Sequence, residues 1–340
     1  MQQVFMIEEN QQTEEPKIEN FDFTPKAPKF KPAIGFGGQL AILIAFIGGG
    51  IIIGSIASVP IWMVMTKTSI FDMQKNMNNP AFANAIKIIQ LVSTFFAFFV
   101  PAIAYALAVN KKPLKHLGFI KTISRRQIFL VIIIAVSGLF LSGALAELNQ
   151  IIPIPKNWAN SFHKLEDEYS EQVLIMARMK TFGDFLFTLI VIALVPAIVE
   201  ETLFRGALQT ILVKWFKNAW VAIIITSIVF SAVHVSYYGF LPRAALGVIL
   251  GFLFFYSKNI WLNILAHFIN NGIAVFSLYM DNVKGKFSKE SMDDTTFPWY
   301  LGILALAFII GLMKEYKKEC ARLGCEQIDN TISPGTNPFE

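Results

Sequence analysis

Eight apolar runs punctuate this chain, at roughly residues 37–65, 85–108, 127–148, 182–204, 219–236, 242–257, 260–280 and 297–313. Most approach the ~20 residues that a helix needs to cross the hydrocarbon of a bilayer. Hydrocarbon holds no water, so every backbone N–H and C=O there must pair within its own segment, and such a run is a helix. The expected fold is an all-α polytopic membrane protein with about eight transmembrane helices. Composition agrees: 54% of the 340 residues are hydrophobic and only 16% are charged, where soluble domains carry about 25% charge. The shorter, closely spaced later runs suit positions inside a bundle, or a bilayer that adjusts around them.

The flanks divide the chain into three parts. Residues 1–34 are acidic and then Lys/Pro-rich, and read as a disordered cytoplasmic tail without a cleavable signal. Residues 35–315 form the transmembrane domain, and 316–340 a polar C-terminal tail. Basic residues crowd the second connection (Lys111, Lys112, Lys115, Lys121, Arg125, Arg126) and follow the last run (Lys314, Lys317, Lys318, Arg322). By the positive-inside rule both termini face the cytoplasm. A multi-pass protein of a prokaryotic cytoplasmic membrane is expected, in contact with lipid. The net charge of +5 is modest and no basic helix or finger spacing is present, so no nucleic-acid partner is expected. Oligomeric state is not legible. Cys320 and Cys325, both placed in the tail, suggest no disulfide framework. The loop 149–181 reads as an interfacial connector whose middle forms an amphipathic helix; a substrate lid is the sharper alternative.

Two adjacent carboxylates, Glu200 and Glu201, close the fourth run. A charge in hydrocarbon costs roughly 2.5–3.5 kcal/mol on insertion scales, so lipid packing alone does not retain such a pair. Residues four apart on a helix are neighbours, which pairs Glu201 with Arg205. Adjacent residues point about 100° apart, so Glu200 faces elsewhere and stays free. A desolvated carboxylate without a cation beside it is the raw material of a general base. Of four histidines, His116 and His163 fall in polar connections and read as solvated surface. The other two lie within apolar runs, as Phe230-x-x-x-His234 and His267-x-x-x-Asn271, with Asn263 a turn earlier and Asn270 alongside.

Depth links these groups. The fourth and fifth runs form a hairpin whose tip is near Lys217-Asn218. Glu200 precedes position 217 by 17 residues and His234 follows it by 17. In antiparallel helices, equal distance from the turn means equal depth, so these two face each other. His267 belongs to a second hairpin with its turn near Lys258-Asn259, and its depth depends on how far the first hairpin protrudes.

Glu-Glu-x-x-x-Arg, then Phe-x-x-x-His, then His-x-x-x-Asn, on successive apolar segments, resembles the CAAX prenyl protease and bacteriocin-processing family of intramembrane glutamic proteases. The matching residues are Glu200, Glu201 and Arg205; Phe230 and His234; His267 and Asn271. Phe204 and Gly206 fit the pattern as well, and the resemblance covers about 180–280. It implies an intramembrane catalytic cavity and an endopeptidase acting on a membrane-associated peptide, of prenylated CAAX type or bacteriocin-like. In that reading Glu200 and His234 activate a water, His267 and Asn271 donate to the oxyanion, and Glu201, Arg205 and Phe230 support the site. No cofactor is expected. The rival within the same chemistry is a zinc protease with Glu200, His234 and His267 as ligands, although no His-Glu-x-x-His helix is present. The rival from another class is an ion-coupled transporter, since carboxylates and histidines within spans also mark relays; no internal repeat supports it.

Overall fold

Lysine–asparagine pairs shape the centre of the molecule. At Lys217-Asn218 and Lys258-Asn259 the lysine takes a left-handed φ of 55° and 54° and ends one helix. The asparagine side chain then accepts backbone N–H groups of the next helix, from Trp220 and Val221 in one turn and from Trp261 in the other. A left-handed residue followed by an N-cap reverses a helix within two residues. Each pair therefore builds a tight helical hairpin. The structure is a computed structural model that describes residues 34–153, 155–288 and 297–325, all within the unit Pro32–Glu340.

Nine principal helices are present among the described residues: α1 (Phe36–Thr66), α2 (Pro80–Val109), α3 (Arg125–Ile151), α4 (Lys156–Met176), α5 (Phe182–Phe216), α6 (Ala219–Ala232), α7 (Phe240–Ser257), α8 (Ile260–Val283) and α9 (Trp299–Arg322). Seven of them, all except α4 and α6, are long and apolar enough to cross a membrane. The protein is an all-α, multi-pass membrane protein. The run 219–236 is helical only over Ala219–Ala232, too short to count with the other seven. α5 continues to Phe216, so the two glutamates lie in mid-helix and not at the end of an apolar run. α9 runs on to Arg322, beyond the expected boundary at 315. The expected N-terminal tail, and the C-terminal tail from residue 326, lie outside the described residues.

Ser124 with Gln127, and Thr181 with Asp184, form capping boxes that start α3 and α5. Two packed layers follow. Buried side chains of α3, α7, α8 and α9, including Ile134, Leu253, Leu262 and Ile309, form one core. Those of α1, α2 and α5, including Leu43, Tyr105, Leu203 and Ile211, form a second, joined by Phe230 of α6. The α1–α2 contact is close: a Cβ at Gly50 would collide with the Phe96 carbonyl, and one at Gly54 would press on Phe96 and Ser93. Gly48 and Gly49 meet nothing, so the close α1–α2 packing rests on Gly50 and Gly54.

Lys87 of α2 is buried and donates to Thr188 Oγ1 at 2.8 Å. Two expectations about other polar residues change. His116 is half-buried beside Tyr105 rather than solvated. Cys320 and Cys325 are buried, with Gln127 Nε2 3.3 Å from the Cys320 sulfur, because α9 extends into what reads as a polar tail.

Candidate active site

The second hairpin is recessed against the first. Lys258, at the α7–α8 turn, lines the same small cavity as Gln209 and Thr210 of α5, and Gln209 Nε2 donates to Gly251 O at 2.9 Å. Gln209 follows Glu200 by nine residues, and His267 follows Lys258 by nine. That offset brings His267 to the depth of Glu200. Gly206 makes room for the connection after α2: a Cβ there would lie 2.8 Å from the Leu117 carbonyl oxygen.

α5 is not a uniform helix. Wide π turns occupy Leu189–Leu194 and Thr202–Gln209, on either side of the turn that carries the glutamates. Such turns recur at functional sites because they re-aim side chains. The first precedes Pro196, which has no N–H to offer the Ile192 carbonyl. The Asn271 amide donates to Ile192 O instead, at 3.4 Å.

The glutamates point apart. Three donors converge on Glu201: Arg205 Nε on Oε2 at 3.1 Å, Asn263 Nδ2 on Oε2 at 3.1 Å, and His267 Nδ1 on Oε1 at 2.9 Å. Asn263 also donates to Leu250 O at 2.7 Å, which ties α7 into the same cluster. The Arg205 guanidinium lies over the Phe230 ring, 5.2 Å from its centroid. Nη1 and Nη2 of Arg205 have no hydrogen-bonding partner among the described residues, so the ring face is what meets that part of the cation. Phe230 packs also against Phe204, His234 and His267.

Glu200 Oε2 is buried and makes no hydrogen bond among the described residues. It lies 4.0 Å from His234 Nε2 and 3.9 Å from His267 Nε2. Both imidazoles are oriented from the far side. His234 Nδ1 is 2.8 Å from the Phe230 carbonyl oxygen, and His267 Nδ1 faces a carboxylate. Each Nδ1 therefore carries a proton, and each Nε2 is presented to Glu200. The structure thus brings Glu200, His234 and His267 together and sets Glu201, Arg205 and Phe230 behind them. Asn271 is not in this contact set; it lies one turn along α8, on Ile192 O. Among the described residues no group of three or more His, Cys, Asp or Glu side chains is arranged to hold a metal ion.

His234 sits in a turn between α6 and α7 that is fastened from outside. Val235, immediately after it, has a φ of 51°, a conformation that is strained for a β-branched residue. Asn149 of α3 clamps the turn by donating to Tyr237 O and accepting from Leu241 N. From α4, Glu166 accepts from Ser236 Oγ at 2.8 Å, His163 meets the Tyr238 hydroxyl at 2.9 Å, and Phe162 stacks on Tyr237. A cavity of about 400 Å³ lies between α4 and this turn, lined by Phe162, Leu165, Ala232, Val235 and Phe240 among others. α4 is therefore packed on the His234 turn, and His163 is engaged there although exposed.

Sequence reasoning missed Arg243, in the first turn of α7. Its guanidinium lies against Gly239, where a Cβ would collide with it, and 5.5 Å from the centroid of the Tyr169 ring of α4. The spacing signal was absent because Arg243 belongs to none of the three motifs.

Residues 182–273, from the start of α5 to just past Asn271, match the family model described as Rce1-like, type II CAAX prenyl endopeptidase. The match covers 92 of the 340 residues, and this segment is similar to the core of that family. Neither the curated proteins nor the solved structures compared with the chain match it. The match contains every residue of the Glu200 constellation, and the family is one of peptidases.

Proposed function

We propose that the chain is an intramembrane endopeptidase in which Glu200 is the general base and a water held between Glu200 and His234 is the nucleophile. One observation carries this reading. Glu200 Oε2 and His234 Nε2 are 4.0 Å apart, beyond direct hydrogen-bonding distance, and both are acceptors when the imidazole is neutral. A water between them donates one hydrogen bond to each and aims its lone pair outward. Attack on a peptide carbonyl forms the C–O bond while Glu200 takes the water proton. As the C–N bond breaks, the same proton goes to the departing amine, so that one water and one peptide bond become a carboxylic acid and an amine.

The tetrahedral oxyanion needs donors. His267 supplies Nε2–H when doubly protonated, with Glu201 holding its other nitrogen. Asn271 joins it by releasing Ile192 O, a bond already long at 3.4 Å. Glu201 and Arg205 fix the ring of His267 and the helix of Glu200. No metal enters this scheme. The substrate is a membrane-associated peptide, of prenylated CAAX or bacteriocin-like type. Both termini lie on the cytoplasmic side of a prokaryotic membrane, the side of the basic connection 111–126.

Two measurements test the reading. Peptides that accumulate in cells carrying Glu200→Gln but not the wild type are the expected substrates; indistinguishable peptide pools contradict it. Cleavage by the purified protein should survive a strong chelator. Loss of cleavage that zinc restores would transfer the chemistry to a metal.

A further inference from the structure

Two groups of lysines in this chain are held differently. Lys111, Lys112 and Lys121 are exposed in the connection after α2, and an exposed position is all that orienting a span requires. Lys115, Lys214 and Lys258 are half-buried and, with His116, line one cavity. They come from three separate places: the connection after α2, the last turn of α5 and the α7–α8 turn. No local pattern gathers them. The recess of the second hairpin against the first does so, through Gln209, which lines the same cavity and donates to Gly251 O.

The cavity is partly open, with a volume of about 40 Å³, roughly three times what one water needs. That is room for a compact anion of phosphate size and not for an acyl chain. Val213, Phe254 and Phe255 make much of the remaining wall, and the Lys258 ammonium lies 4.6 Å from the centroid of the Phe255 ring. Apolar walls concentrate the field of the cations within the cavity. Depth is a separate observation. Exposed tryptophans stand beside both Lys-Asn turns, Trp215 and Trp220 at the first and Trp261 at the second. Tryptophans at the ends of spanning helices mark the headgroup level of a bilayer. The cavity therefore lies at the level of lipid phosphates.

We propose that the cavity lined by Lys115, Lys214 and Lys258 is a phosphate-binding site. Its ligand is the headgroup of an anionic phospholipid or a soluble phosphate, two sources with one chemistry. Basic pockets between spanning helices bind anionic headgroups in this way. Lys214 follows Glu200 by 14 residues along α5, so the site is separate from the Glu200–His234 pair and does not depend on the endopeptidase reading. The opposing account is that these lysines only add to a diffuse positive surface.

Thermal unfolding of the full-length protein in neutral detergent micelles separates the two, because a ligand of the folded state raises the midpoint. The probes are dioctanoyl phosphatidylglycerol, dioctanoyl phosphatidylcholine and inorganic phosphate. All are used at about 0.15 M ionic strength, where exposed charges more than ~8 Å away are screened. Wild-type protein should be stabilised by phosphatidylglycerol and not by phosphatidylcholine, which carries no net charge. A matching gain from inorganic phosphate identifies a soluble source; a gain from the anionic lipid alone identifies a headgroup. Each lysine beside an anionic headgroup contributes about fivefold. With Lys115→Gln, Lys214→Gln and Lys258→Gln combined, roughly 100-fold more probe should be needed for the same gain. Lys111→Gln, Lys112→Gln and Lys121→Gln combined remove the same charge outside the cavity and should respond as the wild type does.

No gain from phosphatidylglycerol beyond that from phosphatidylcholine, with none from phosphate, overturns the proposal. So does an equal loss of response in the two triple variants. If the cavity variant does not fold, Lys214→Gln against Lys112→Gln makes the same comparison, at about fivefold. No readout needs turnover. A failure of the endopeptidase reading appears separately, as undiminished cleavage by Glu200→Gln.

Discussion

The two imidazoles that face Glu200 are held in different ways. His267 is built in: its side chain is 7% exposed, and its Nδ1 is fixed by Glu201, which Arg205 and Asn263 hold in turn. Three helices meet in that cluster. His234 is 26% exposed and, among the described residues, hydrogen-bonded only to the Phe230 carbonyl in the last turn of α6. Its position depends on a strained residue, Val235, and on α3 and α4 pressing the following turn into place. One half of the site is therefore part of the buried core, and the other sits in a turn that α3 and α4 hold from outside. Damage to the first half should cost folding, and damage to the second should cost catalysis with the fold intact.

The strongest way to break this comparison is Glu201→Gln. It leaves the Arg205 cation buried without its carboxylate and leaves one amide oxygen where three donors now converge. Removing one partner of a buried pair costs about 3–5 kcal/mol, so thermal unfolding in micelles should shift sharply downward and cleavage should be lost with it. Unchanged stability would show that Glu201 is not the structural member of the pair. His234→Ala comes next. It should lower cleavage by about 10²–10⁴-fold, the range of acid–base assistance, with little change in the unfolding temperature. A large loss of stability would place His234 in the folded core alongside His267.

Smaller effects sharpen the account of α4. Glu166→Gln weakens the bond to Ser236 by about 0.5–1.5 kcal/mol, and should slow cleavage several-fold without affecting overall stability. A fully active variant would reduce α4 to a connector. The smallest change is expected for Val235→Gly. A left-handed residue with a Cβ costs roughly 1–2 kcal/mol, so glycine relieves strain in the folded state while adding freedom to the unfolded one. Stability should rise slightly, and cleavage should fall if the strain holds His234 in place.

Much of the deep half was legible in sequence. Glu201 and Arg205 meet because helical spacing demands it, and the Lys217-Asn218 turn sets Glu200 and His234 at one depth by simple counting. The depth of His267 required the recess of the second hairpin, which rests on long-range contacts such as Gln209 to Gly251. The outer half was hidden for the same reason. That α6 stops at Ala232 within an apolar run is a consequence of the turn held by Asn149 and α4. Arg243 drew no notice because its meaning lies in Gly239 and Tyr169, which no local pattern connects to it. Asn271 was legible as a polar residue on the face of His267, but its bond to Ile192 follows from Pro196 on another helix.

The central claim is that Glu200, and not its neighbour, does the chemistry. Glu200→Gln keeps the shape of the side chain, and Glu200 Oε2 makes no hydrogen bond among the described residues that the change would break. The direct test is cleavage of a membrane peptide by purified Glu200→Gln protein, with thermal unfolding measured on the same sample. The account predicts wild-type unfolding and a loss of cleavage of at least about 10²-fold. Cleavage at the wild-type rate by the folded variant would contradict it.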